Sequence, residues 1–266
     1  MQYYSQFCNM VFKDQLHQNI QLSSFPKRII SIVPSQSELL WDLGLRDELV
    51  GITKFCIHPH EMYKRIERVG GTKQLNLDKI RALKPDLIIG NKEENEQSQI
   101  IELQKEFPVW MSDIYNLDDA LQMIELVGEL VDQESKAHVI KHTIEQSFLN
   151  LSIGSKTALY LIWNKPYMAA GRATFIGDVL HQMGLENVLK NHTRYPELSI
   201  EDIVSLQPEL ILLSSEPYPF KQDHMFELQI KLPHSKILLV DGELFSWYGS
   251  RLTKSVDYFN KILKTL

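Results

Sequence analysis

The sequence is poor in cysteine, lacks a strongly basic region, and contains no long apolar run. Cys8 and Cys56 are its only cysteines and no C-x-x-C spacing occurs, so the chain is not a disulfide scaffold, while its redox compartment stays open. Its 28 basic and 34 acidic residues give a net charge of −6, which argues against nucleic-acid binding because that affinity comes mainly from Lys and Arg. No run approaches the roughly 18 apolar residues of a membrane-spanning helix, so we expect no membrane insertion.

The first residues also lack the pattern of a secretory signal. The segment MQYYSQFCNMVFKDQ has no basic start followed by about 7–15 apolar residues. For the same reason we do not expect Cys8 to be a lipoprotein cysteine. The sequence therefore predicts either a cytoplasmic protein or one whose leader has been removed.

Short apolar runs alternate with segments of helical periodicity. This alternation predicts an α/β fold with parallel sheets and helices on their faces. The predicted helices include SELLWDLGL, LDKIRALK, IIELQKEF, FIGDVLHQMG and IEDIVSLQ. The predicted strands are 28–34, 49–53, 86–90, 109–112, 157–163, 209–214 and 236–242.

Helix boundary signals support this interpretation. Ser35 and Glu38 form an S-x-x-E pattern, which predicts a capping box and a helix that begins directly after strand 28–34. Gly44 marks its end. Thr174 is placed to cap a second helix, which we expect to stop at Gly184.

Two segments of the chain resemble each other. NLDKIRALKPDLIIG (76–90) and SIEDIVSLQPELILL (199–213) align without a gap and share Ile, Leu and Pro positions. Helix–turn–strand units of any α/β fold could converge on this pattern. The favoured interpretation is two similar lobes.

The middle of the chain is predicted to be helical. Between 116 and 151 there is no proline and a single glycine, and the apolar residues recur every three or four positions with a break near 132–135. We predict two helices, the second of about 18 residues and about 27 Å, acting as a stiff spacer. The predicted division is an N-terminal α/β lobe at 1–131, a connecting backbone helix at 132–153, and a C-terminal α/β lobe at 154–266.

The common catalytic motifs are absent. The sequence contains no G-x-G-x-x-G, no G-x-x-x-x-G-K-[ST], no G-x-S-x-G and no H-E-x-x-H. His138 and His142 lie four residues apart, and a solvated helix face is favoured there over a metal site. These observations favour binding over catalysis, and we expect no enzymatic activity and no intrinsic cofactor.

Several segments in order carry a family resemblance: VPSQSELLWDLGL, GITKFCIHPHE, GGTKQLNLDKIRALKPDLIIGNKEEN and AAGRATFIGDVLHQMGLENVL. From about Phe25 to its end the chain resembles the class III (cluster A, helical-backbone) substrate-binding proteins of ABC importers, which include binders of cobalamin, ferric siderophores and haem. The resemblance implies two Rossmann-like lobes joined by one long helix, a ligand in the cleft between them, ABC permease partners and a periplasmic location.

Candidate ligand residues follow the predicted strands, because ligands of open parallel sheets bind beyond the carboxyl ends of the strands. Gln36 stands at a helix N-terminus, which favours an anion or a carbonyl. Aromatic residues also follow strands in both halves, and large rings suit a flat, partly apolar ligand; any single ring could instead fill the lobe interface. The candidates are Gln36, Phe55, His58, Lys92, Glu93, Trp163, Tyr167, Arg172, Trp247, Tyr248 and Arg251.

His58 is the candidate metal ligand, since imidazole commonly binds transition metals; a surface or structural role is the alternative. A bare ion needs three or four protein ligands, and only His58, Glu93 and Glu94 are available, whereas a chelated metal needs at most one. A chelate is therefore favoured, as a corrinoid first and a ferric siderophore or haem second. Lys92, Arg172 and Arg251 could pair with its acidic groups or be ordinary surface charges.

Asp78 and Glu201 occupy matching positions of the two repeats. The resemblance implies that they dock on basic residues of the permease, and the alternative is a helix-start carboxylate favoured by the helix dipole. We expect a monomer. The rival hypotheses are a cytosolic corrinoid- or metal-handling factor or enzyme on the same fold, and a ligand-sensing interaction module.

Overall fold

The computed structural model describes residues 10–266 and divides into two compact units. The first unit comprises residues 10–113, Asp119–His142 and Tyr248–Arg251, and the second comprises Ile114–Asp118, Thr143–Trp247 and Leu252–Leu266. The interpretations of Cys8 and of the N-terminal segment lie outside the described residues. The predicted boundaries at 131/132 and 153/154 stay predictions.

The first unit is built on a parallel sheet with helices between its strands. Within residues 10–266 the strand order of this sheet is β5-β4-β3-β6-β7, beside a separate antiparallel hairpin of β1 and β2. The strands are β1 Met10–Lys13, β2 Asn19–Leu22, β3 Ile29–Ser31, β4 Leu49–Ile52, β5 Glu67–Arg68, β6 Leu87–Asn91 and β7 Val109–Ser112. The helices are α1 Pro34–Asp42, α2 His60–Arg65, α3 Leu77–Leu83, α4 Gln97–Gln104, α5 Leu117–Leu130 and α6 Glu134–Leu149.

The apolar runs of this sheet form the core because both of its faces are covered. Strands β3 and β6 are completely buried along their length, as expected for parallel strands flanked by helices. Ile30 and Ile88 pack with Ile80 of α3 and Leu103 of α4 in one hydrophobic cluster. The hairpin closes the side of the sheet at β7, where the Gln15 amide donates to the Met111 carbonyl at 3.1 Å.

The second unit contains a mixed sheet. Its described strands have the order β11-β9-β8-β12-β13, and β10 also pairs with β8. The strands are β8 Thr157–Trp163, β9 Tyr167–Ala169, β10 Glu186–Asn187, β11 Glu197–Leu198, β12 Leu210–Ser214 and β13 Lys236–Val240. The helices are α7 Phe175–Gln182, α8 Ile200–Leu206, α9 Gln222–Lys231, α10 Gly242–Ser246 and α11 Leu252–Leu263.

The predicted α/β class is confirmed, with one difference in the second sheet. Strands β8, β12, β13 and β10 pair in parallel, but β9 pairs antiparallel with both β8 and β11. The predicted strands include none between 163 and 209, whereas the chain turns back through residues 164–166 into β9. A three-residue strand is too short for its periodicity to be read from the sequence.

The two similar segments are structurally equivalent. α3 leads into β6 and α8 leads into β12; each strand is flanked on both sides in its own sheet. Asn76 and Ser199 cap the two helices with side-chain hydrogen bonds, and Lys84 and Gln207 end them in the left-handed conformation, at φ 47° and 44°. The repeat therefore encodes one helix–turn–strand unit twice.

The helix boundaries agree with the predictions except at the start of α1. Gly44 at φ 93° follows α1, the Thr174 hydroxyl caps α7, and Gly184 at φ 69° follows α7. The capping box of Ser35 and Glu38 is wrong: α1 begins at Pro34 with Val33 as its cap and no side-chain cap hydrogen bond. Glu38 is instead paired with Arg251, a partner more than two hundred residues away that no local pattern indicates.

The two predicted central helices are confirmed as α5 and α6. They are separated by residues 131–133, with Asp132 at φ 58°, and the division between the units falls within α6. None of the helices in the described part of the chain has the length and apolar character that crossing a bilayer requires.

Candidate functional site

An exposed aromatic ring stands where β4 ends in the first unit. Phe55 is 50% exposed, and the Lys54 ammonium lies 5.0 Å from the centroid of its ring. Gly71 approaches closely: a Cβ there would lie 3.2 Å from Phe55 Cε2. The Phe55 ring therefore lies beside a cation at the carboxyl edge of the first sheet, and both groups can contact a ligand there.

The turn after β6 is held by its own side chains. Asn91 Oδ1 accepts hydrogen bonds from the amides of Glu93 and Glu94, at 2.8 and 3.0 Å. The Lys92 ammonium is paired with Asp113 Oδ2 at 2.6 Å, and its side chain is half exposed. Lys92 and Glu93 thus lie together at the carboxyl edge of the first sheet, with part of the Lys92 charge already balanced.

Gln36 is an internal anchor of α1. Its side chain is fully buried, and its Nε2 donates to Ser112 Oγ at 2.5 Å and to the Gly90 carbonyl at 3.3 Å. Its Oε1 is buried without a partner among the described residues. This side chain fastens α1 to strands β6 and β7.

His58 and His60 flank a cis peptide bond at Pro59. His58 is half-buried and His60, the first residue of α2, is exposed. In residues 10–266, no group of three or more His, Cys, Asp or Glu side chains has metal-binding geometry. The metal role of His58 stays a prediction.

Tyr248 and Arg251 come from late in the chain but belong to the first unit. The Tyr248 hydroxyl donates to Glu94 Oε1 at 2.7 Å, and burial together with the neighbouring Glu94 carboxylate raises the Tyr248 pKa well above its usual value. Arg251 makes a two-pronged ion pair with Glu38, at 2.7 and 3.1 Å. Both side chains of that pair are less than a tenth exposed, so the Arg251 charge is balanced inside the protein.

The carboxyl edge of the second sheet carries an aromatic cluster. Trp163, at the end of β8, is 39% exposed and packs edge-on against Tyr218 with ring centroids 5.6 Å apart. Tyr218 in turn contacts Phe220 and His224. Tyr167, the first residue of β9, is half-buried and packs, like Tyr218, against the hydrophobic core of the second unit. Burial raises the pKa of Tyr167.

Trp247 is buried and hydrogen-bonded within the second unit. Its Nε1 donates to Glu216 Oε1 at 3.1 Å, and Ser246 Oγ donates to the same oxygen at 2.7 Å. Burial raises the pKa of Glu216. The Trp247 side chain is therefore buried and held by a hydrogen bond, whereas the Trp163 ring at the carboxyl edge of this sheet is exposed.

Glu216 and Tyr218 were not among the residues predicted from the sequence. They come directly after strand β12, in the same position as the candidate residues that come after the other strands. Applying the strand-end rule to predicted strand 209–214 would have found them.

Arg172 lies apart from these residues. β9 runs antiparallel to β8, so residues after Ala169 lead toward the amino end of β8, where β10 pairs with Thr157 and Ala158. There Arg172 lines a cavity with residues of α7 and β10.

Asp78 and Glu201 each occupy the second position of their helix, in α3 and α8. The Asp78 side chain is 97% exposed, with one Arg81 nitrogen at 3.3 Å, and Glu201 is exposed. The matching positions predicted from the repeat are therefore structurally equivalent within their own units.

Proteins of similar sequence include an ABC transporter substrate-binding lipoprotein and vitamin B12-binding proteins. An uncharacterized ABC transporter substrate-binding lipoprotein, YvrC of Bacillus subtilis, is 25% identical over 262 residues, covering 92% of this chain and 82% of that protein. A vitamin B12-binding protein of Pectobacterium carotovorum is 25% identical over 243 residues, covering 86% and 85%. The crystal structure of the periplasmic vitamin B12 binding protein BtuF of Vibrio cholerae has a TM-score of 0.75 at 23% identity, covering 90% of this chain and 97% of that one.

These comparisons confirm the family resemblance and the expected two-lobe fold class. They also support the role of a substrate-binding protein over that of a cytosolic handling factor or enzyme. The periplasmic binding protein family model matches residues 29–229, which is most of the chain. The protein belongs to the periplasmic binding protein family.

Proposed function

We propose that this protein is the substrate-binding component of an ABC importer in the cell envelope and that it captures a metal chelate. A corrinoid is the first choice of ligand, and haem or a ferric siderophore is the second. The observation that carries the proposal is an exposed aromatic ring at the carboxyl end of a strand in each unit: Phe55 after β4 and Trp163 at the end of β8. The relatives named as vitamin B12-binding proteins support the corrinoid.

The rings supply affinity by removing apolar surface from water. If a ligand covers about 100 Å² of each exposed ring, the gain is roughly 2–3 kcal/mol per ring at ~25 cal/mol/Å². Two such contacts, with polar contacts from Lys92 and Glu93 and an axial bond from His58, suit a micromolar or tighter complex after the cost of association.

Asp78 and Glu201 serve as docking residues for the permease in this proposal. Their exposure and their equivalent positions in the two repeats support that role. The protein acts as a monomer and has no catalytic step, since its work is capture and release.

Titration of the purified protein with cyanocobalamin, cobinamide, haemin and a ferric siderophore tests the proposal. We expect saturable binding of at least one of these ligands, measured by absorbance and by calorimetry. Phe55→Ala and Trp163→Ala should each weaken it roughly tenfold or more. Phe226→Ala is the matched control, because Phe226 is 56% exposed on α9 and is not at a strand end. Failure of all four ligands to bind more tightly than millimolar would refute the proposal.

A further inference from the structure

The second unit contains a cavity of about 650 Å³ that the proposed function does not use. Its walls come from the loop before α5, the loop into α7, α7 itself, β10 and the loop after β10. This volume is sufficient for a small organic molecule. The residues that give the cavity its character are Tyr115, Arg172, Asp178, Leu185, Lys190 and Thr193.

Most charges around the cavity are already satisfied. Lys190 is paired with Glu186 at 3.0 Å. Asp178 Oδ2 accepts the Leu117 amide at 2.8 Å, and burial raises the pKa of this carboxyl. The guanidinium of Arg172, in contrast, has no hydrogen bond or ion pair to any residue of the described chain. One unbalanced cation therefore remains at the cavity wall.

The main chain beneath Arg172 is fixed. Its amide donates to the His192 carbonyl at 2.7 Å, and its carbonyl accepts from the Arg194 amide at 2.8 Å. Ala173 and Arg194 on either side of this contact have φ of 59° and 66°, a conformation that non-glycine residues adopt only where surrounding structure enforces it. The main chain that carries Arg172 is therefore already ordered, so binding costs no loss of main-chain entropy at this position.

Apolar side chains form other parts of the cavity wall. Leu185 is almost completely buried, and the Tyr115 ring is held with the Arg194 guanidinium 5.6 Å from its centroid. A guanidinium binds carboxylates and phosphates through two parallel N–H groups. The combination of that fork with an aromatic and an aliphatic wall suits an anion with an apolar body.

We propose that this cavity is a second binding site, for a small organic anion such as an aromatic carboxylate, with Arg172 as the residue that pairs with the anionic group. None of the residues that line this cavity is among those assigned to the proposed chelate site, and the inference does not depend on that function. It also gives Arg172 a role other than contact with the chelate.

Calorimetry with benzoate and 1-naphthoate, against benzamide as the neutral analogue of benzoate, tests this site. We expect saturable carboxylate binding and at least roughly tenfold weaker binding of benzamide, because the amide cannot form the charged pair. Arg172→Gln should abolish the preference for the carboxylate, and Arg172→Lys should retain part of it. Thr193→Trp, which substitutes an exposed residue at the cavity, should block both carboxylates.

Lys231→Gln, which removes an exposed lysine on α9, is the control and should bind like the unsubstituted protein. Circular dichroism verifies that each variant is folded. The proposal is overturned if neither carboxylate binds, if benzamide binds as well as benzoate, or if a folded Arg172→Gln protein keeps the preference. Chelate titration is read separately, so a failure of the chelate proposal leaves this result interpretable.

Discussion

The two helix–strand repeats share a scaffold but differ in the segments that come after their strands. After β6 the chain makes a polar turn, in which Asn91 holds the amides of Glu93 and Glu94, and Glu94 receives the Tyr248 hydroxyl. The equivalent segment after β12 contains Glu216 and Tyr218. Glu216 accepts a hydrogen bond from Trp247, and Tyr218 packs against Trp163. The helix–turn–strand scaffold is the same in both repeats, whereas the segments after the strands differ, as expected where loops carry function on a common frame.

The buried ion pair of Glu38 and Arg251 in the first unit predicts the largest effect. Glu38→Gln removes the carboxylate that accepts two hydrogen bonds from the buried Arg251 guanidinium, so we expect a loss of about 3–5 kcal/mol in the free energy of unfolding. Urea unfolding measures it. The comparison is Lys156→Gln in the second unit, whose partner Glu209 is half exposed and which should cost less than about 1 kcal/mol. Equal losses would contradict the structural role of the buried pair.

The caps of the repeated helices differ in strength. Ser199 and Asp202 form a reciprocal capping box in α8, while Asn76 makes a single bond to the Lys79 amide in α3. Ser199→Ala should therefore cost about 1–2 kcal/mol and Asn76→Ala about 1 kcal/mol or less. Thermal unfolding with Ser205→Ala as the control on α8 tests the order, and the reverse order would count against the capping box.

Arg81 and Val204 occupy the same position of the two repeats. Arg81 contacts Glu102 and Glu106 at 3.3 and 2.8 Å on a partly exposed surface, and Val204 is 39% exposed. The substitution Arg81→Val should change the free energy of unfolding by only about 0.5 kcal/mol. A loss above roughly 2 kcal/mol, measured by urea unfolding, would mean that the ion pairs of Arg81 support the fold.

The smallest expected effect is a pH dependence in the second unit. Burial raises the folded-state pKa of Glu216, so folding favours its protonated form. Its stabilising contribution is complete below the ordinary carboxyl pKa and is lost as the pH rises through the raised value. Glu216→Gln should remove this decline while still accepting hydrogen bonds from Trp247 and Ser246. Unfolding measured from pH 4 to 8 tests it, and identical pH profiles for the two proteins would contradict it.

The sequence predicted the long, regular elements because their signals are local. The strands around Ile30, Ile88 and Leu212 are continuous apolar runs, and buried parallel strands require such runs. α3 and α8 were found twice over, through their periodicity and through the repeat. The strand-end rule predicted Phe55, Trp163 and Lys92 at sheet edges, and the structure has them there.

The remaining features depend on contacts between distant residues. Arg251 was predicted among the possible ligand contacts, and the fold pairs it with Glu38. Trp247 was predicted among the strand-end rings, and the fold buries it against Glu216. Gln36 was expected at an open helix end and is enclosed by β6 and β7. Side-chain type could not distinguish these outcomes, since the same group binds a ligand or a neighbour according to which partners folding brings within reach.

The sequence alone determined the α/β class, the repeated helix–strand unit, the central helices and the family, because periodicity and ordered motifs are properties of neighbouring residues. Only the tertiary structure decided which charges and rings remain available to a ligand. Phe55 and Trp163 remain exposed. The Arg172 guanidinium has no partner among residues 10–266, whereas Arg251 and Trp247 are buried and hydrogen-bonded to Glu38 and Glu216. That choice depends on burial and on partners far away in the chain, which no local pattern records.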